Sequence, residues 1–123
     1  MQALLIVGAG SFVGGMLRYG ISKWVQVKLL TTYPFGTFTV NIVGCLIIGL
    51  LMGMSERYNI SSEWRLLLVT GFCGGFTTFS AFSIETMALL RDAQYLPAFL
   101  YIAGSVIIGV LAAFAGYSIH RFI

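Results

Sequence analysis

Four apolar stretches, each about as long as a bilayer's hydrocarbon core is thick, take up most of the chain, and its charges stand largely between them. A helix needs roughly 20 apolar residues to cross about 30 Å of hydrocarbon. A charge near the bilayer centre costs about 2.5 to 3.5 kcal/mol on insertion scales. With charges and prolines as punctuation, the stretches run over about 3–25, 34–54, 64–90 and 97–118. Pro34 suits the first turn of a helix, where its missing N–H has no partner to lose. Glu56 and Arg57 close the second stretch, Glu63 and Arg65 precede the third, and Arg91 and Asp92 follow it. With 59% hydrophobic and 9% charged residues among 123, the chain exceeds what a soluble surface tolerates. The expectation is an all-α, multi-pass membrane protein with one four-span domain over 1–123. The segment Ala3–Val7 has no cationic region before it and no cleavage site after it, so it reads as the start of the first span.

The same composition excludes several classes. Seven Lys and Arg are scattered singly, without the basic runs or basic-aromatic interleaving that would bind nucleic acid. Cys45 and Cys73 lie within apolar spans at no metal-ligand or CxxC spacing, and read as small buried hydrophobes with no disulfide. The single histidine, His120, falls at the C-terminus, and no nucleophile-base pair or ligand-spaced cluster suggests an enzyme or an organic cofactor.

Small residues recur at helix-packing spacing: Gly10 with Gly14, Gly49 with Gly53, and Ala112 with Gly116. Such pairs let backbones approach closely where lipid supplies no hydrophobic drive between helices. Fifteen glycines give more packing surface than a lone four-helix bundle needs, which points to an oligomer. The loop cations are nearly balanced, with Arg57, Arg65 and Arg121 on the side of the termini and Lys23, Lys28 and Arg91 opposite, Arg18 leaning the same way from inside the first span. Because Lys and Arg bias sets insertion direction, a near tie predicts insertion both ways. Two inverted copies would then pair as an antiparallel homodimer, the symmetry that larger transporters build from fused inverted repeats.

The third stretch carries the chemistry. Gly71, Gly74 and Gly75 each lower helix propensity by about 1 kcal/mol relative to Ala, and Thr77 and Thr78 follow at once with hydroxyls that can replace lost hydrogen bonds. Glycine for close packing and hydroxyls bonded to the preceding turn are the structural reading. The functional reading is a break at mid-membrane, whose freed carbonyls could ligate a hard cation such as Na+. Phe79 and Phe82 share one helical face, with Ser80 and Ser83 beside them. They are either packing bulk or, since an aromatic ring has a positive edge, part of a weakly electropositive slot for a small anion. Asn41, the amide inside the second span, is either helix-helix glue or an anion donor. Tyr101 and Ser105 lie four apart on the fourth span and add two hydroxyls on one face. Glu85 and Arg18 are the ionisable residues nearest the hydrocarbon, candidates for function or for snorkelling to the interface.

The run Thr70-Gly71-Phe72-Cys73-Gly74-Gly75-Phe76-Thr77-Thr78-Phe79-Ser80-Ala81-Phe82-Ser83-Ile84-Glu85 resembles the signature of the Fluc, or CrcB, family of fluoride channels. Gly36-Thr37-Phe38-Thr39-Val40-Asn41 and Gly14-Gly15-Met16-Leu17-Arg18-Tyr19 extend the resemblance over the whole chain. Ala81 stands where threonine is common, and Gly109 where some members have a hydroxyl. The resemblance implies an antiparallel dual-topology homodimer in a prokaryotic cell membrane, with two pores that export fluoride and so lower its toxicity. It also implies a central structural Na+ on the backbone carbonyls of Gly74 and Thr77. By position, Phe79 and Phe82 match the phenylalanines whose edges contact fluoride, Asn41 the pore amide, and Tyr101 and Ser105 hydroxyls along the route, with Thr78, Ser80 and Glu85 beside it.

Two other functions fit parts of the pattern. A small multidrug-type antiporter shares the length and the dimer, but needs a membrane-embedded carboxylate in its first span, and none is present there. A non-transporting assembly subunit would use the glycines for packing and leave the Gly74–Thr78 chemistry unexplained.

Overall fold

The structure is a computed structural model that describes residues 1–122, all of them in helices, turns or short connections. Helices α1 (Gln2–Leu29) and α2 (Phe35–Tyr58) are continuous. The next helical run is made of pieces: α3 (Ser62–Arg65), a π-helical segment (Leu66–Cys73), α4 (Gly74–Phe76) and α5 (Phe79–Arg91). Helix α6 (Tyr95–Ile119) follows, and then a single 3-10 turn, His120–Phe122. Four segments, α1, α2, Ser62–Arg91 and α6, are long and apolar enough to cross a membrane. The chain is a multi-pass membrane protein.

The turns have local causes. Leu30 and Asn59 end α1 and α2 in the left-handed conformation, with φ of 49° and 52°, the usual way a helix terminates. The Ser61 hydroxyl caps α3 by accepting from the Trp64 amide at 3.3 Å. Ala93, at φ 60°, reverses the chain after α5, and its amide and that of Gln94 close on the carbonyls of Leu90 and Leu89.

Helix α2 packs along α6, while α1 packs along the π-helical segment and α4. Glycine makes both approaches possible. A Cβ on Gly10 would stand 2.8 Å from the Phe72 nitrogen, and one on Gly14 would stand 2.9 Å from the Phe76 nitrogen. Gly75 returns the contact from the other side, against the Ser11 backbone. On the second pair of helices, Gly49 faces the Ala113 backbone and Gly116 faces Leu46 and Leu50. Two side chains reinforce the α1 seam, as the Ser11 hydroxyl donates to the Gly71 carbonyl at 3.2 Å and Arg18 Nε to the Gly75 carbonyl at 3.2 Å.

Candidate functional site

The helical run stops at Phe76 and restarts at Phe79, because Thr77 and Thr78 are extended, at φ −92°, ψ 159° and φ −149°, ψ 123°. Two residues of extended backbone leave polar groups without helical partners. The Thr78 amide donates to Asn41 Oδ1 at 2.8 Å, and Asn41 Nδ2 donates to the Thr78 carbonyl at 3.1 Å. The Asn41 amide thus pairs with Thr78 as a neighbouring strand would. The Thr78 hydroxyl caps α5 by accepting from the Ala81 amide at 3.1 Å, and lies 3.3 Å from the Ser80 hydroxyl. The Thr77 hydroxyl donates back to the Cys73 carbonyl at 3.0 Å.

These bonds have a consequence one turn earlier. In an α-helix the Gly74 carbonyl would receive the Thr78 amide, and the Thr77 carbonyl would receive the Ala81 amide. Both amides are engaged with side chains instead. The two carbonyls are left without those partners, and Gly74 is exposed, with nothing within 4 Å of where its Cβ would be. Neutral carbonyl oxygens of this kind suit a hard monovalent cation.

A groove of about 540 Å³ opens beside the extended residues. Its lining brings together Asn41, Gly74, Thr77, Thr78, Phe79, Phe82 and Ser105, and includes no charged side chain. The Phe79 and Phe82 rings both line it and lie 5.7 Å apart, tilted at 37° to one another. The Ser105 hydroxyl is buried and has no protein partner. Phe79 itself is 78% exposed.

Tyr101 lines no part of this groove but packs against Phe82, which does. It is 1% exposed, its ring packs 5.1 Å from that of Phe82, and its hydroxyl donates to Glu85 Oε1 at 3.2 Å. The Thr37 hydroxyl donates to the other carboxylate oxygen at 2.9 Å. Glu85 is therefore held by two hydroxyls rather than by a cation. It faces a second, more polar cavity of about 710 Å³, which Arg18, Lys23, Gln26 and Asp92 also line. Ser80 is exposed and lines neither cavity.

Sequence reasoning missed three residues. Thr37 was visible only as part of a motif, and its bond to Glu85 joins residues 48 positions apart. Gln26 and Tyr33 carried no signal at all, since their partners lie in a turn and on another span. Burial raises the Tyr33 phenol above its ordinary value, so it stays a protonated donor.

Comparison with known proteins gives a consistent answer. The profile of the family described as CrcB-like protein, Camphor Resistance (CrcB), matches residues 5–117. The fluoride-specific ion channel FluC of Chloroflexus aurantiacus is 44% identical over 122 residues, covering 98% of this chain and 97% of its own. The protein of the same name from Oceanobacillus iheyensis is 44% identical over 117 residues, 94% of this chain and 89% of its own. That from Chlorobium phaeobacteroides is 46% identical over 120 residues, 97% and 93%. With the match spanning every element that builds the groove, this chain belongs to the CrcB family.

Proposed function

We propose that this chain is a fluoride-selective channel that lets fluoride leave the cytoplasm down its electrochemical gradient. One observation carries the reading: Asn41, Thr78, Phe79, Phe82 and Ser105 line a single groove with no charged side chain. Relatives named as fluoride-specific ion channels support it. Fluoride is small and strongly hydrated, so a pathway must replace its water with donors without a fixed cation that would trap it. The Ser105 hydroxyl, the second N–H of the Asn41 amide and the edges of Phe79 and Phe82 are such donors. Beyond them, Tyr101 links Phe82 to Glu85 on the second cavity, which two cations, Arg18 and Lys23, and two acids, Glu85 and Asp92, line.

The working unit in this proposal is an antiparallel homodimer with two pores. Its third span is a helix broken at mid-membrane, and the breaks of the two inverted copies face each other at the axis. Gly74 and Thr77 would hold a structural Na+ there through their carbonyls, and that ion would supply the positive charge which two sets of inward carbonyl dipoles lack. The Gly74 and Thr77 carbonyls, without their α-helical amide partners, and the open face at Gly74 support this arrangement.

Proteoliposome efflux followed with a fluoride electrode tests the function, with chloride as the control. Rapid fluoride and negligible chloride efflux is expected, and folded protein that releases no fluoride overturns the proposal. Phe79→Ala and Phe82→Ala should each slow fluoride by about tenfold or more, equivalent to ~1.4 kcal/mol on the barrier. Native rate and selectivity in both variants would remove the ring edges from the pathway.

A further inference from the structure

The reversal between α1 and α2 is held by one amide. Gln26 Nε2 donates to the carbonyls of Thr31 at 2.5 Å and Tyr33 at 2.7 Å, and its Oε1 accepts from the Gly36 amide at 2.9 Å. The Gly36 amide is one of the N–H groups that the start of α2 leaves unpaired, and Pro34 offers no side-chain cap for it. Gln26 therefore fixes the end of α1, the turn and the start of α2 relative to one another. The Tyr33 amide is tied in as well, donating to the Thr31 hydroxyl at 3.2 Å.

The side chain that this turn presents belongs to neither of its own spans. Tyr33 reaches α6, where its hydroxyl donates to the Pro97 carbonyl at 3.0 Å. That carbonyl is four residues before Tyr101, one turn along the same helix. The Tyr33 ring meets the Tyr101 ring edge to face, with centroids 5.9 Å apart and planes at 77°. Tyr101 is thus confined from two directions, by Phe82 at 5.1 Å and by Tyr33 at 5.9 Å. Tyr33, like Tyr101, lines neither cavity.

We infer that Tyr33, fixed by Gln26, is a positioning residue for conduction, which holds the Tyr101 hydroxyl between the Phe82 ring and the Glu85 carboxylate. The inference rests on the channel reading above. Without the Tyr33 ring, Tyr101 loses one wall and its hydroxyl is no longer held against the Glu85 carboxylate. Tyr33→Phe keeps the wall and removes only the anchor at Pro97. Gln26→Leu keeps Tyr33 and frees the turn that carries it.

A double-mutant cycle on fluoride efflux from proteoliposomes separates this role from a general structural one. Tyr33→Leu should slow efflux about tenfold in the native background and less than about twofold in Tyr101→Phe, where there is no hydroxyl left to misplace. Gln26→Leu and Tyr33→Phe should show the same dependence on Tyr101 with smaller losses. Equal fold losses in both backgrounds, in protein of native size and unfolding temperature, overturn the inference. Should Tyr33→Leu fail to fold, the Tyr33→Phe cycle decides by the same criterion. Native protein that conducts no fluoride defeats the channel reading and this inference with it, whereas a conducting protein with an additive cycle defeats only the inference.

Discussion

Asn41 pairs with both backbone groups of Thr78, and so answers a need that the extended residues create. A carbonyl or amide left unpaired away from water costs about 1 to 3 kcal/mol. Asn41→Leu keeps the size and removes both bonds, so it should destabilise the protein by ~2 to 4 kcal/mol. Unfolding in detergent micelles measures this, and a change under about 0.5 kcal/mol would mean that Thr78 finds other partners readily. Asn41→Asp is informative beside it. It keeps an acceptor for the Thr78 amide but sets a carboxylate against the Thr78 carbonyl and beside the anion route, so fluoride efflux should fall further than in Asn41→Leu. The residue type was legible in the sequence, because an amide inside a span must find partners. Its partner was not, since nothing local says that residue 41 meets residue 78.

Helices in this fold are set by where their backbones touch. Gly14 and Gly15 are neighbours with opposite surroundings: a Cβ at 14 would meet the Phe72 carbonyl, and one at 15 would meet nothing within 4 Å. Gly14→Ala should therefore cost about 1 to 3 kcal/mol through forced backbone shifts, while Gly15→Ala should be neutral or stabilise by up to ~1 kcal/mol. Equal losses in the two variants, again read from unfolding, would undo the account of the α1 seam. This seam was legible, because small residues four apart have one dominant use in a membrane helix. The π-helical segment Leu66–Cys73 was not. Apolar residues such as Leu66–Val69 have the same composition in α and π windings, and only the register against α1 distinguishes them. The clamp from Gln26 was equally invisible, since a glutamine near a helix end is usually solvated.

At the scale of the whole molecule, a single protomer leaves much unexplained by itself. Phe79 is 78% exposed although it lines the groove, and Gly74 faces open space although it lies in the middle of a span. In the antiparallel homodimer proposed above, a second copy would cover both. If Na+ binds the Gly74 and Thr77 carbonyls in that assembly, it stabilises the assembled state by mass action, by ~2.7 kcal/mol at a hundred times its Kd. Replacing Na+ with N-methylglucamine should then lower the unfolding temperature and increase the monomer fraction. An unfolding temperature indifferent to Na+ would exclude a structural ion. The four spans and their apolar faces could be read from the chain alone, because bilayer thickness imposes them. The grouping of Glu85 with Thr37 and Tyr101 could not, as it depends on which faces of α2, α5 and α6 converge.

The winding of Leu66–Cys73 also bears on which changes in chain length the protein can absorb. A π-helical turn accommodates surplus residue within a helix that otherwise closes four residues on. Removing one residue between 66 and 73 would let this part relax to ordinary α winding while α4 and α5 keep their places. The same deletion in α2 or α6 would turn every later side chain by about 100° and scatter the groove. Within the membrane, then, this is the place where natural relatives one residue shorter would carry their gap.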